Sequence, residues 1–159
     1  GTFMGNGEVE RLAKMLSSAQ RHLTEELERL TDEEVGISPG ENEWTAAKIC
    51  AHVIESHLMR MHKVANIVEQ PDVSRTPLEM ERRLSTVAKH AGDTLGIILY
   101  RLRNACDEAI GILHGLGAEH LAAKDNTGVT GREIVEMGIV GHVEEHARQL
   151  RDVRCALKG

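Results

Sequence analysis

All three prolines of the chain, Pro39, Pro71 and Pro77, fall between long apolar-periodic segments or at the start of one, never inside. Proline within a helix removes a hydrogen bond and clashes with the preceding turn, so this placement leaves long stretches free to be helical. The first stretch runs from about Gly7 to Leu30, with Val9, Leu12, Leu16, Ala19, Leu23 and Leu27 recurring at steps of three and four, one face of a helix. The second carries Ile49, Val53, His57, Met61, Val64 and Val68 at the same period and ends before Pro71. A third shows Leu95, Ile98, Leu102, Ala105, Ala109, Leu113 and Leu116. No alternating pattern long enough for a strand, no internal repeat and no low-complexity tract is present.

Local signals mark where these helices begin. Thr45 suits an N-cap, and Trp44 before it is placed to pack on Ile49 as a hydrophobic staple. Thr76-Pro77-Leu78-Glu79 combines an N-cap threonine, a proline at the first helical position and a glutamate closing a capping box. Thr130-Gly131-Arg132-Glu133 repeats the box, with Val129 and Ile134 as its staple. Between Thr76 and Leu116 the glycines Gly92 and Gly96 leave two alternatives, one kinked helix or a short helix followed by a main one from about Asp93. A loop from Gly117 to Gly128 precedes the last helix, expected from Gly131 to about Leu157. The expected fold is therefore all-α, an antiparallel four-helix bundle forming a single domain over residues 1–159, with room for an extra short helix between helices 2 and 3. Residues 1–6 are expected to be disordered or an appended leader.

Charge and composition exclude several function classes. Nineteen Lys and Arg against 25 Asp and Glu give a net charge of −6, the wrong sign for phosphate-driven nucleic-acid binding. Phe3, Trp44 and Tyr100 are the only aromatics, too few for a base-stacking platform. No apolar run approaches a membrane span and no signal-peptide pattern opens the chain. Cys50, Cys106 and Cys155 are scattered and odd in number, as in a reducing compartment rather than a disulfide framework. A soluble cytoplasmic protein is expected.

Nine histidines are many for such a chain. The stripe of the last helix reads Ile134, Gly138, His142, His146, Leu150, Val153, Leu157, which sets two imidazoles one turn apart on the face expected to point inward. Cα atoms ~6 Å apart along a helix axis let both rings reach one metal ion. Mutual satisfaction of the two rings within the core is the competing reading. Gly138 and Gly141, unfavourable in a helix interior, would leave open volume beside the imidazoles. A third ligand would come from the second helix, where periodicity slightly favours His57, on the most apolar stripe, over His52, one residue off it. His22, His62, His90, His114 and His120 read as surface or satisfied residues.

Trp44-Thr45 followed by His52, with His142-x-x-x-His146 on the final helix, resembles the DinB-like (YfiT-like) superfamily of metal-dependent enzymes over nearly the whole chain. In that family a Trp-Ser/Thr pair opens the second helix, a histidine seven residues after the Ser/Thr is the first metal ligand, and two histidines one turn apart on the last long helix supply the others. The resemblance thus implies His52, His142 and His146 as ligands, and selects His52 over His57. It further implies a divalent metal, zinc or nickel, and a small-molecule substrate such as a low-molecular-weight thiol of the bacillithiol or mycothiol kind. The activity implied is a thiol-dependent S-transferase or a hydrolase, in a homodimer. A non-catalytic bundle that binds a partner, with structural histidines or a vestigial metal site, is the alternative.

Other metal motifs fit less well. A ferritin-like di-iron bundle needs Glu-x-x-His on two helices, and no histidine here has Glu three residues before it. HExxH is absent. A hemerythrin-like set would have to use His22-x-x-x-Glu26 with the 142/146 pair and lacks well-placed bridging carboxylates. Three neutral imidazoles leave a divalent ion its charge and an open position, as in catalytic rather than structural sites. Glu55, Glu144 and Glu145 lie near the proposed ligands as solvated residues or as acceptors that orient an imidazole; none is singled out as a general base.

Overall fold

A computed structural model describes residues 2–159, with side chains from Gly7 onward. The expectation for residues 1–6 falls outside the described residues at Gly1 and at the side chains of 2–6. Four long helices carry the fold: α1 (Thr2–Glu28), α2 (Ala46–Ala65), α4 (Leu95–His114) and α7 (Gly141–Lys158). Shorter elements lie between them: α3 (Pro77–Lys89), α5 (Ala118–Ala122) and α6 (Gly131–Glu133), which leads through a π-helical turn, Ile134–Val140, into α7. Among the described residues there is no strand, only one isolated bridge between Lys124 and Thr130.

The caps form as their sequences dictate. Thr45 accepts from Lys48 N, and the Thr76 and Thr130 boxes close on Glu79 and Glu133. Of the two alternatives for the third segment, the short helix plus main helix is found. The chain leaves α3 at His90, and Thr94 caps a new helix through Ile97 N. This break lets α3 act as a crossover packed on α2.

The crossover sets the directions of the bundle. Arg11 pairs with Glu136, His22 with Glu144 and Glu26 with Arg154, so α1 and α7 run parallel. Gln20 donates to the Leu102 carbonyl and Glu10 meets His114, so α1 and α4 are antiparallel. The α2 and α7 helices are also antiparallel, Arg60 reaching Gly138 while His52 lies against His142 and His146. The predicted all-α bundle is present, with α1 and α2 on opposite corners, but its neighbours α1 and α7 are parallel where an antiparallel arrangement was expected.

The stripes of α1 and α4 face the core as expected, apart from half-buried Leu95. Two assignments change. Because α2 ends at Ala65 and the chain turns at Asn66, Ile67 is buried and Val68 is 47% exposed. In the last helix the deepest positions are Val135, Ile139, Val143, Leu150 and Val153. The predicted stripe of Ile134, Gly138, His142 and His146 lies one residue to the side, at the edge of the core.

Candidate metal centre

His52 sits on α2 two turns after the Thr45 cap, and His142 and His146 occupy the first turns of α7 just beyond the π turn. The turn before them is π-helical, with an extra residue relative to an α turn, and both histidines face α2. All three imidazoles meet there, and one ligand atom from each lies within 4.8 Å of the others. The His52 ring centroid is 5.6 Å from that of His142 and 5.3 Å from that of His146, with the planes near perpendicular. Trp44 stands edge-on against His52 at 5.6 Å, so the aromatic expected to staple the helix also walls the site.

The donor set fits a metal ion on two observations. The Nε2 atoms of His142 and His146 face each other at 3.2 Å, and two nitrogens bound tetrahedrally at ~2.05 Å to one ion stand ~3.3 Å apart. His52 Nδ1 is buried and meets no hydrogen-bond partner, which is costly unless something else occupies it. Burial pushes the His52 pKa down to about 3, helped by the Arg83 charge, and that of His142 down to about 4, helped by His146. Burial also lowers His146, against the opposing bond to Gln149. All three rings are therefore neutral near pH 7, with lone pairs available.

His57, the residue periodicity favoured, is elsewhere. It is 2% exposed in the core on the α4 side of α2, near the Ala105 backbone, and burial moves its pKa down to about 4. The remaining histidines have ordinary roles. His22 pairs with Glu144 at 2.7 Å, His90 with Asp93 at 2.8 Å, His114 with Glu10 at 3.3 Å and His62 with Glu108 at 3.7 Å, while His120 Nδ1 accepts from Gly117 N. With His22 on Glu144 and Glu26 on Arg154, the hemerythrin-like set is not assembled.

A family model of the DinB superfamily matches residues 15–150. The chain belongs to the DinB superfamily. Among solved structures, the mycothiol-dependent maleylpyruvate isomerase is similar at 19% identity with a TM-score of 0.70, covering 89% of this chain and 60% of that one. A histidine-to-alanine mutant of that enzyme gives a TM-score of 0.69 at the same identity and coverage. The likeness is one of fold, and this chain spans about 60% of the length of those proteins. No curated protein matches.

Within this DinB bundle, three features of the centre were not read from the sequence. Gln149 accepts a bond from His146 Nδ1 at 2.6 Å; its place one turn after His146 was the available signal. Arg60 donates to the Gly138 carbonyl of the π turn, and Arg83 on α3 lies over Trp44, 6.0 Å from its ring centroid. Glu55 closes on Arg75 with bonds of 2.8 and 2.6 Å, so neither it nor Glu144 is aimed at the three rings. Glu145 is exposed, and its charge acts on His142 and His146 from a distance.

Proposed function

We propose that this protein is a metal-dependent enzyme acting on a small thiol, a thiol-dependent S-transferase whose zinc or nickel ion is held by His52, His142 and His146. The observation that carries the reading is the 3.2 Å approach of the His142 and His146 Nε2 atoms with His52 closing the third side. A divalent ion held there would supply a Lewis acid that favours the deprotonated form of a thiol or a water.

The chain's own residues prepare the site. Gln149 holds the Nδ1 proton of His146 and leaves Nε2 free to bind. Trp44 covers one side of His52 and keeps water from it. No thiol of the chain belongs to the ligand cluster. Cys50 and Cys106 are buried, with pKa values pushed up to about 12 and about 11 by burial, and Cys155 is exposed near the C-terminal end of α7. A sulfur at this centre must therefore come from a second molecule. A solved structure of the same fold belongs to an isomerase named for its dependence on mycothiol, which supports a thiol as that molecule. The same reading takes the protein to be a cytoplasmic homodimer, the oligomeric state being checked by sedimentation.

The test is a thiol titration of cobalt-loaded protein in which all three cysteines are replaced by serine. A sulfur-to-cobalt charge-transfer absorption that saturates with added thiol is expected. A protein that holds cobalt but gives no such absorption would favour hydrolysis, and one that takes up no metal would favour a non-catalytic bundle.

A further inference from the structure

Two guanidinium groups beside the three imidazoles have no carboxylate partner among the described residues. Arg60 is half-buried on α2, and its one hydrogen bond is from Nη1 to the carbonyl of Gly138, in the π turn. The acid nearest on its helix, Glu55, is already committed to Arg75 through both oxygens. Arg83 has a buried Nε with no partner and a guanidinium stacked over Trp44. The charge of Arg83 acts on all three imidazoles, and that of Arg60 on His142 and His146. Arginine cannot lose its proton to relieve this, and buried charge without a counterion is costly. A divalent ion on the histidines would add to the same positive excess.

A cleft of about 320 Å³ opens beside Arg60 and Gly138. Its walls include Val73, Val129, Ile134 and Met137, the last 69% exposed at the rim. The two other charged lining residues are already engaged. Lys63 pairs with Glu79 at 2.9 Å, and Glu133 accepts from Thr130 N and Oγ1 at 3.2 and 2.9 Å. Arg60 is thus the cation of this cleft without a carboxylate partner, and its remaining planar N–H edge matches a carboxylate through two parallel bonds.

We infer that the cleft beside this centre takes an amphiphilic carboxylate, its carboxylate on Arg60 and its apolar body against Val73, Val129, Ile134 and Met137. A role for that ligand as substrate rests on the metal-dependent reading above, whereas its binding does not require the ion.

Calorimetric titration of the full chain, zinc-loaded and metal-stripped, with sodium hexanoate, hexan-1-ol and sodium phosphate tests the inference. Hexanoate is expected to saturate one site in both forms and to bind more tightly than either control. Arg60→Gln should weaken hexanoate ~10- to 100-fold, the range for a lost charge-assisted bond, and leave hexan-1-ol unchanged. Because Arg60→Gln also frees the Gly138 carbonyl, Met137→Glu serves as a second variant. It leaves the Arg60 bond in place, sets a like charge at the rim and should weaken hexanoate by ~10-fold. Hexanoate binding no tighter than hexan-1-ol, phosphate binding tighter than hexanoate, or wild-type hexanoate affinity in both variants would each overturn the inference. Binding lost on stripping zinc would also overturn it, by showing the carboxylate on the ion instead of on Arg60. Failure to take up zinc at all would count against the metal reading alone, since the metal-stripped titration is independent of it.

Discussion

Gln149 Oε1 accepts a hydrogen bond from His146 Nδ1 at 2.6 Å, one turn along the same helix. This bond decides which nitrogen of His146 carries its proton, and with it which nitrogen faces His142. Groups that orient a ligating histidine in this way typically contribute ~10- to 100-fold to metal affinity. Gln149→Leu is therefore expected to weaken zinc binding by that factor in chelator competition, without changing stoichiometry at saturating zinc. Unchanged affinity would mean that Gln149 is a surface contact only.

The three rings should act as a set. Replacing His52, His142 or His146 with alanine removes one of three nitrogens from the cluster and is expected to lower zinc content well below one ion per chain, as measured by elemental analysis of untagged protein. His57→Ala and His114→Ala should retain wild-type zinc, because His57 faces the core near α4 and His114 pairs with Glu10. Loss of zinc from His57→Ala in a protein that still folds would place the ligand set wrongly.

The fold was legible because its signals are local. The proline positions, the capping boxes at Thr76 and Thr130 and the stripes of α1 and α4 each act within one or two turns. The site was harder to read from periodicity for a physical reason. Deepest burial marks the residues that fill the core, and His57 is one of them. A group that must meet a ligand lies at the edge of that stripe, where His52, His142 and His146 all stand. The family motif pointed to His52, which lies in the cluster of three imidazoles, whereas periodicity slightly favoured His57, which does not. The π turn was not legible because Gly138 within it and Gly141 after it read equally as glycines tolerated inside an α-helix, and the contact it makes, Arg60 on the Gly138 carbonyl, joins residues far apart in sequence. The parallel pairing of α1 with α7 was equally hidden, being set by the α3 crossover.

Two glycines that look alike in sequence should respond oppositely to alanine. A Cβ on Gly131 would lie 2.1 Å from the His120 carbonyl oxygen, a backbone atom that cannot step aside, where Gly131 N also donates to Ala123 O. Gly131→Ala is expected to cost about 2 kcal/mol or more in denaturant unfolding. Gly111, exposed in the interior of α4, has nothing within 4 Å of a built Cβ. Gly111→Ala should instead stabilise by ~0.5–1 kcal/mol, through the lower entropy of the unfolded chain. Destabilisation by both would show that the space beside α4 is filled in solution.

His57 makes stability depend on pH in a predictable direction. Burial holds its folded pKa at about 4, below the ordinary value of 6.5. Above pH 6.5 the ring is neutral in both folded and unfolded chains and contributes no pH dependence. As the pH falls from 6.5 toward 4, the unfolded chain takes up a proton that the folded chain refuses, so stability is lost across that window. The loss is ~3 kcal/mol over the window, with a slope approaching one proton. His52, His142 and His146 are depressed as well and add to the slope in metal-free protein. Urea unfolding of metal-free wild type and His57→Leu at a series of pH values isolates the His57 share. The leucine variant should lose less stability on acidification, and the two curves should converge in shape above pH 6.5, the unfolded value. Leucine also removes two buried nitrogens without hydrogen-bond partners, so the variant should be no less stable at neutral pH. Parallel curves throughout the acid range would mean that the His57 ring reaches water or a proton acceptor in solution.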